Sequence, residues 1–283
     1  MGGKARTLQA ALIGSLYSVA EDSALSQNSI QSQPSTGLSK VAAVTLSFWI
    51  IKILCTTLGE TGGDAVTMSM NLGYAVGTSI FAAIFIVAVL VQVRAKKFHP
   101  FLYWFTIVAT TTVGTTMADL ADRSEGLGYA WGSALLFVLV MASLGVWYWT
   151  MGTVSVGSVY SAKAEMFYWV TIMFSQTLGT ALGDWAADDE GLKLGYLGGV
   201  AVFGGLLVVV LLLHLLTKIN KTALFWAAFI LTRPLGAVSG DLFDKPVAQG
   251  GFAISRYTAS GVLAAAILLC VLIFPHRPAE KQH

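Results

Sequence analysis

The chain has 283 residues, of which 55% are hydrophobic and only 11% charged, with a mean hydropathy of +0.71 and a net charge of +2. Soluble domains carry roughly a quarter charged residues, so this composition excludes an ordinary soluble globular protein and belongs to the membrane class. There is no basic cluster with interleaved aromatics and no glycine-rich phosphate loop, which argues against nucleic-acid and nucleotide binding.

In chain order, residues 1–40 read as a polar, largely flexible cytoplasmic tail, rich in Ser, Gln and Asn from Glu21 onward. Within it, Leu8–Ala20 is long enough only for an interfacial helix and lacks the cleavage site of a signal peptide. Eight apolar stretches follow, near 41–62, 71–93, 99–118, 128–150, 165–183, 194–217, 222–240 and 252–274. Each is close to the twenty or so residues that cross a bilayer. Lipid leaves no partner for free backbone groups, so all eight are expected to be α-helices. They divide into four two-helix repeats, at 41–98, 99–160, 161–220 and 221–275, with 276–283 as a second cytoplasmic tail. Cys55 and Cys270 sit inside apolar runs without metal-ligand spacing and read as core residues, so no resident cofactor is expected.

One motif marks each repeat at fixed spacing: Trp49, Gly59 and Asp64; Trp104, Gly114 and Asp119; Trp169, Gly179 and Asp184; Trp226, Gly236 and Asp241. Position +14 from the Trp is small each time (Gly63, Ala118, Gly183, Gly240), so this is a true internal repeat. Two spans per repeat point every copy the same way through the membrane, which implies parallel repeats around a pseudo-symmetry axis along the membrane normal. Lys4, Arg6, Lys40, Arg94, Lys96, Lys97, Lys163, Lys218, Lys221, Arg277 and Lys281 fall at the termini and between repeats. The positive-inside rule then places both termini in the cytoplasm and the Asp end of each motif outside.

On a 3.6-residue period, positions 0, +4, +7/+8, +11 and +15 form one stripe. That stripe is polar, so the first helix of each repeat should line the interior of a ring of four hairpins. The pairs Gly59/Gly63, Gly114/Ala118, Gly179/Gly183 and Gly236/Gly240 allow close helix approach. On the second helices, Gly73/Gly77, Gly128/Gly132, Gly195/Gly199 and Gly251/Ser255 have the same small-xxx-small form. Thr57, Thr112, Thr177 and Pro234, all at +8, are candidate pathway-lining residues.

Asp64, Asp119, Asp184 and Asp241 have two readings. They could cap helix ends, or their charge could serve as a ring of ligands for a cation. Departures between copies should mark the site. Only the first repeat has Glu60, one turn inward of Asp64, and only it has Lys52 at +3. Only the fourth has Arg233-Pro234 at +7/+8. Lys52 and Arg233 lie too deep to reach water, so they call for partners among Glu60, Asp64 and Asp241 or for a wet cavity. Asp122, Glu125, Asp188, Asp189, Glu190 and Asp244 form either a cation-concentrating vestibule or ordinary loop charge. His214 is either a proton relay or a snorkelling residue beside Lys218.

With Trp49, Trp104, Trp169 and Trp226 heading four copies in register, residues 41–275 resemble a bacterial membrane family described as a repeat of unknown function. That resemblance implies eight membrane helices and a location in the bacterial inner membrane, and it brings no substrate. Glu60-Thr61-Gly62-Gly63-Asp64 also looks like the Glu-x-Gly-Asp signature of manganese/calcium–proton exchangers, with one residue more. Repeats two to four lack its Glu.

The residues therefore support three functional expectations. The first is a transporter of a hard divalent cation such as Mn²⁺ or Mg²⁺, bound by Asp64, Asp119, Asp184, Asp241 and Glu60, with Lys52 or Arg233 as counter-charge and protons exchanged in return. The second is a carrier of a small organic or anionic solute bound at Lys52 and Arg233. The third is a membrane scaffold without transport. Enzyme chemistry is not expected, because no nucleophile–base pair or metal triad can be assembled. The partners expected are the lipid bilayer and a small ion or solute.

Overall fold

The structure is a computed structural model that describes residues 39–124 and 128–280, with backbone alone for 123 and 124. The tail over 1–38, the helix expected over Leu8–Ala20, and Glu125 lie outside the described residues. The described residues form eight long helices: α1 (Leu46–Asp64), α2 (Tyr74–Arg94), α3 (Pro100–Asp119), α4 (Tyr129–Met151), α5 (Ala162–Ala187), α6 (Gly195–Leu216), α7 (Lys221–Asp244) and α8 (Arg256–Ile273). There is no strand among the described residues, only an isolated antiparallel bridge between Ala42 and Pro278.

Local sequence sets where the odd helices begin. Thr45, Ser161 and Asn220 accept backbone N–H bonds at the starts of α1, α5 and α7, and Pro100 opens α3. At their far ends α1 and α3 run straight into short π-helical turns, Ala65–Ser69 and Leu120–Ser124, immediately after Asp64 and Asp119. On the even helices the expected glycine pairs split in role. Gly73, Gly128 and Gly195 have φ of +77°, +74° and +64°, with open space where a Cβ would sit. They turn the chain, as only glycine does at low cost. The packing falls to Gly77, Gly132 and Gly199, which meet Thr67, Asp122 and Val238.

The odd helices pack side by side in the order α1, α3, α5, α7 and back to α1, a closed circle. The even helices lie outside it, but not as the expected hairpins. Contacts between the two helices of one repeat are sparse. Instead α2 packs along α3, α4 along α5, α6 along α7, and α8 returns to α1. Each repeat thus lays its second helix on the next repeat's first, and the last repeat covers the first.

Among the described residues, five helices are long and apolar enough to cross a membrane: α2, α4, α6, α7 and α8. The shortfall of α1, α3 and α5 has a physical reason, since their polar residues are buried against one another inside the circle. The even helices turn large apolar side chains such as Leu135, Leu197, Leu212 and Leu269 outward, as a membrane protein must. At the Trp end the circle is stitched shut by its own flanks: Ala43 N–H donates to Arg277 O and Ala279 N–H to Val41 O, each at 2.8 Å. Beside them Lys40 forms an ion pair with Glu165 and donates to the last carbonyls of α2, at Gln92 and Val93.

Candidate functional site

From the Trp end inward, the circle is filled layer by layer, and the fully buried line runs through positions −1, +3, +7 and +11. Residues at +4 (Ile53, Val108, Met173, Ile230) are only half-buried. The stripe expected at 0 and +4 is therefore rotated by one residue.

The first layer is aromatic. The residue before each motif Trp is also aromatic: Phe48, Tyr103, Tyr168 and Phe225. Each packs edge-on against its own Trp and edge-on or tilted against the Trp of a neighbouring repeat. The inter-repeat centroid distances are 5.5 Å for Phe48–Trp104, 6.0 Å for Tyr103–Trp169, 6.3 Å for Tyr168–Trp226 and 5.7 Å for Phe225–Trp49. Eight rings thus close into a floor, and the Tyr103 and Tyr168 hydroxyls bond each other across it at 2.7 Å. Aromatic contacts of this kind contribute about 0.5–1.5 kcal/mol each beyond their burial.

Above the floor, Lys52, Ile107, Ile172 and Phe229 share the +3 level, all fully buried. Lys52 Nζ stands 4.2 Å over the Phe229 ring and makes no hydrogen bond. Among the described residues, Lys52 pairs with none of its expected partners Glu60, Asp64 and Asp241.

At +7 each side chain enters the gap left by a motif glycine on the preceding helix. Thr111 meets Gly59, Gln176 meets Gly114, Arg233 meets Gly179, and Thr56 meets Gly236. A Cβ at Gly114 would come within 3.0 Å of the Gln176 backbone, so the close approach depends on glycine at every junction. Pro234 packs on the same Gly179, and α7 stays continuous through it. Near the proline, Thr56 Oγ1 donates to Thr232 O at 3.2 Å. Thr57, Thr112 and Thr177 donate to carbonyls one turn back on their own helices, Ile53, Val108 and Met173.

Arg233 crosses the centre of the circle. Its Nη2 donates to Glu60 Oε2 at 2.9 Å and to the hydroxyls of Thr115 and Thr180. Those three acceptors are the +11 residues of repeats one, two and three. The fourth +11 residue is Ala237, on the helix of Arg233 itself. Arg233 and Glu60 therefore form a buried ion pair that ties all four inner helices together.

At the Asp end all four motif carboxylates are buried, but they are not equivalent. Asp64 and Asp241 converge with Asp244, and one oxygen from each lies within 4.8 Å of the others. Lys245 Nζ reaches Asp64 Oδ2 at 2.8 Å and Asp241 Oδ1 at 3.0 Å. Arg256 Nε donates to Asp244 Oδ2 at 2.7 Å, and its Nη2 lies 3.5 Å from Asp64. Burial alone would lower the Lys245 pKa, but Asp241, Asp64 and Asp244 outweigh it and hold the ammonium well above the ordinary lysine value. Asp64 makes no side-chain capping bond; its partner is a cation. Asp119 and Asp184 are buried at the same level on α3 and α5 and have partners of their own.

The sequence alone does not assign Lys245 or Arg256 to this site, and it places Asp244 only among acids that form either a cation-concentrating vestibule or ordinary loop charge. One available signal was the i,i+4 spacing of Asp241 and Lys245. Asp188, another of the expected acids, accepts from Tyr129 Oη at 2.7 Å. His214 is exposed at the opposite end, where with Lys221 and Arg277 it rims a groove of about 700 Å³ against Trp49 and Phe225.

No curated protein and no solved structure matches this chain. A family model does, four times in tandem, over residues 47–98, 102–153, 167–220 and 224–276. The chain therefore belongs to the family described as a repeat of unknown function, DUF347.

Proposed function

We propose that this protein is a multi-pass transporter of a hard divalent cation, of the Mn²⁺ or Mg²⁺ kind, with Asp64, Asp241 and Asp244 as its outer binding site. The reading takes all eight helices as membrane spans, arranged in four parallel repeats around an axis normal to a bacterial inner membrane, with both termini cytoplasmic. The recurrence of the same glycine and aromatic junctions at all four seams supports that axis.

One observation carries the cation reading: three buried carboxylates, from two different repeats, converge within 4.8 Å and are held together by two cations. Opposed ligand oxygens around a bound Ca²⁺-sized ion are about 5 Å apart, and smaller ions need less, so a modest contraction makes a ligand set. Lys245 and Arg256 carry two positive charges, the same as one divalent ion. Exchanging them for the ion leaves the local charge unchanged, which removes the main electrostatic cost of loading a buried site. Lys245 and Arg256 thus take the counter-charge role expected of Lys52 and Arg233. Glu60, bound to Arg233 one turn inward, is the next oxygen ligand along the route, and Asp119 and Asp184 complete the acidic outer ring. Protons taken up by the same carboxylates supply the exchange.

The test is Mn²⁺ uptake into proteoliposomes together with Mn²⁺-dependent thermal stabilisation of the full chain. Asp64→Asn and Asp241→Asn should each lose both, while Asp188→Asn keeps them. Unchanged stabilisation in the double Asn variant rules the site out.

A further inference from the structure

The groove of about 700 Å³ at the Trp end lies between α6 and the start of α1, over α7. It breaks the fourfold sameness of the motif: Trp104, Trp169 and Trp226 are buried, whereas Trp49, which lines the groove, is half-buried. Along α7 the lining runs from Lys221 to Thr232, about 16 Å of helix rise. That is close to the depth of one leaflet of bilayer hydrocarbon, about 15 Å. The inner walls are apolar, with Leu207 and Leu211 from α6, Ile53 from α1 and Ala228 from α7. Val208 and Leu211 stay more than half exposed on the α6 wall, so the groove is open along that side as well as at its mouth.

The mouth is charged. Lys221, Arg277 and His214 rim it, and Glu280 is the one acid in the lining. With His214 neutral, two cations against one carboxylate leave a single net positive charge. Basic pockets between membrane helices suit lipid headgroups, and α6 and α7 are both long and apolar enough to cross a membrane. A soluble anion would use the rim and leave the apolar walls uncovered. A lipid without net charge would cover the walls and leave the rim uncompensated. The complement of both features is one negative charge at the head of an apolar chain.

We propose that this groove binds an anionic phospholipid, with its phosphodiester at Lys221 and Arg277 and an acyl chain along the apolar walls toward Thr232. The groove lies over the junction of α7 with α1, where the circle closes, so the lipid stabilises that closure. It is bound at the end of the molecule opposite the outer carboxylates and does not depend on what they carry.

Thermal unfolding of the full chain in a non-ionic detergent tests this, with phosphatidylglycerol, phosphatidylcholine or soluble glycerophosphate added. Linkage predicts that phosphatidylglycerol at about ten times its dissociation constant raises the midpoint by about 3–6 °C. Phosphatidylcholine and glycerophosphate should not. This comparison uses the unaltered protein and stands whatever the variants do. Lys221 and Arg277 are exposed, so Lys221→Gln/Arg277→Gln should fold, and it should lose the rise. Lys96→Gln/Lys97→Gln removes two exposed bases from the same end but outside the lining, and it should keep the rise. No rise with phosphatidylglycerol, or an equal one with phosphatidylcholine, overturns the proposal, because the groove then does not read charge. A rise with glycerophosphate overturns it by giving the rim to a soluble phosphate ester. Survival of the rise in the Lys221/Arg277 variant, or its loss in the Lys96/Lys97 variant, overturns it as well, because the lipid then acts elsewhere or through diffuse surface charge. Mn²⁺ stabilisation should be unaffected by Lys221→Gln/Arg277→Gln, which separates this groove from the outer site.

Discussion

Arg233 is the residue whose removal should be felt most, and its geometry gives the magnitude. Both ends of the Arg233–Glu60 pair are buried at 2.9 Å, so Arg233→Met strands a carboxylate and Glu60→Gln strands a guanidinium. Breaking a buried pair from one side costs about 3–5 kcal/mol. At roughly 2–4 °C per kcal/mol for a chain of this size, each single variant should lower the unfolding midpoint by about 6–20 °C. Removing both partners leaves no orphan charge, and such replacements are commonly neutral or stabilising. The Arg233→Met/Glu60→Gln double variant should therefore unfold within a few degrees of the wild type. Scanning tryptophan fluorescence suits the measurement, because Trp49, Trp104, Trp169 and Trp226 all belong to the aromatic floor. Additive losses in the double variant would refute the pairing. Such a result would mean that Arg233 stabilises chiefly through Thr115 and Thr180, which remain in both backgrounds.

The other expectations are simpler. A Cβ at Gly236 would meet Thr56, including its backbone at 2.8 Å, whereas Gly204 on α6 has nothing within 4 Å; Gly236→Ala should cost about 1–3 kcal/mol and Gly204→Ala should gain up to about 1 kcal/mol, both read from thermal midpoints. Lys245, with its pKa raised by three carboxylates that outweigh burial, contributes stability that is fully present below the ordinary lysine value of about 10.4 and is lost only as pH climbs through the folded-state value. The difference in stability between wild type and Lys245→Met should then be flat from pH 7 to 9, and a decline across that window counts against the ion-pair geometry at Asp64 and Asp241.

Much of the frame could be read in the sequence because repetition makes it redundant. Helix ends mostly fell within a few residues of expectation, and the misses have causes. α1 begins at Leu46 rather than 41 because Val41–Ala43 pairs with the chain near Pro278. α5 begins at Ala162 because Ser161 caps it. The hairpin expectation failed for a different reason. Short connections say that two helices are consecutive, but the glycine junctions decide which helix lies against which. Phe48, Tyr103, Tyr168 and Phe225 stood beside every motif Trp, yet a run of apolar residues does not announce a closed floor. At the outer site, sequence position separates Asp241 from Arg256, but Phe252 and Ile254 return to the Leu242 and Phe243 carbonyls and fold the connection back. That turn brings Arg256 onto Asp244 and Asp64, and no period in the sequence encodes it.

The differences between copies follow from closing the circle. The +11 residues of three repeats converge on one guanidinium, so the centre holds one such group. Four arginines at +7 would place like charges at one level with a single carboxylate to offset them. Three copies accordingly carry neutral residues there, Thr56, Thr111 and Gln176. Arg233's own helix carries Ala237 at +11, where a larger side chain would compete for the same space, and Ala237 also fits against Gly183. Glu60 then has to come from another repeat, since a residue on α7 one turn from Arg233 could not link two helices. The motif Trp and Gly stay the same in all copies because they serve junctions that recur four times. Lys52, Glu60 and Arg233 differ from their counterparts because each serves a place that occurs once.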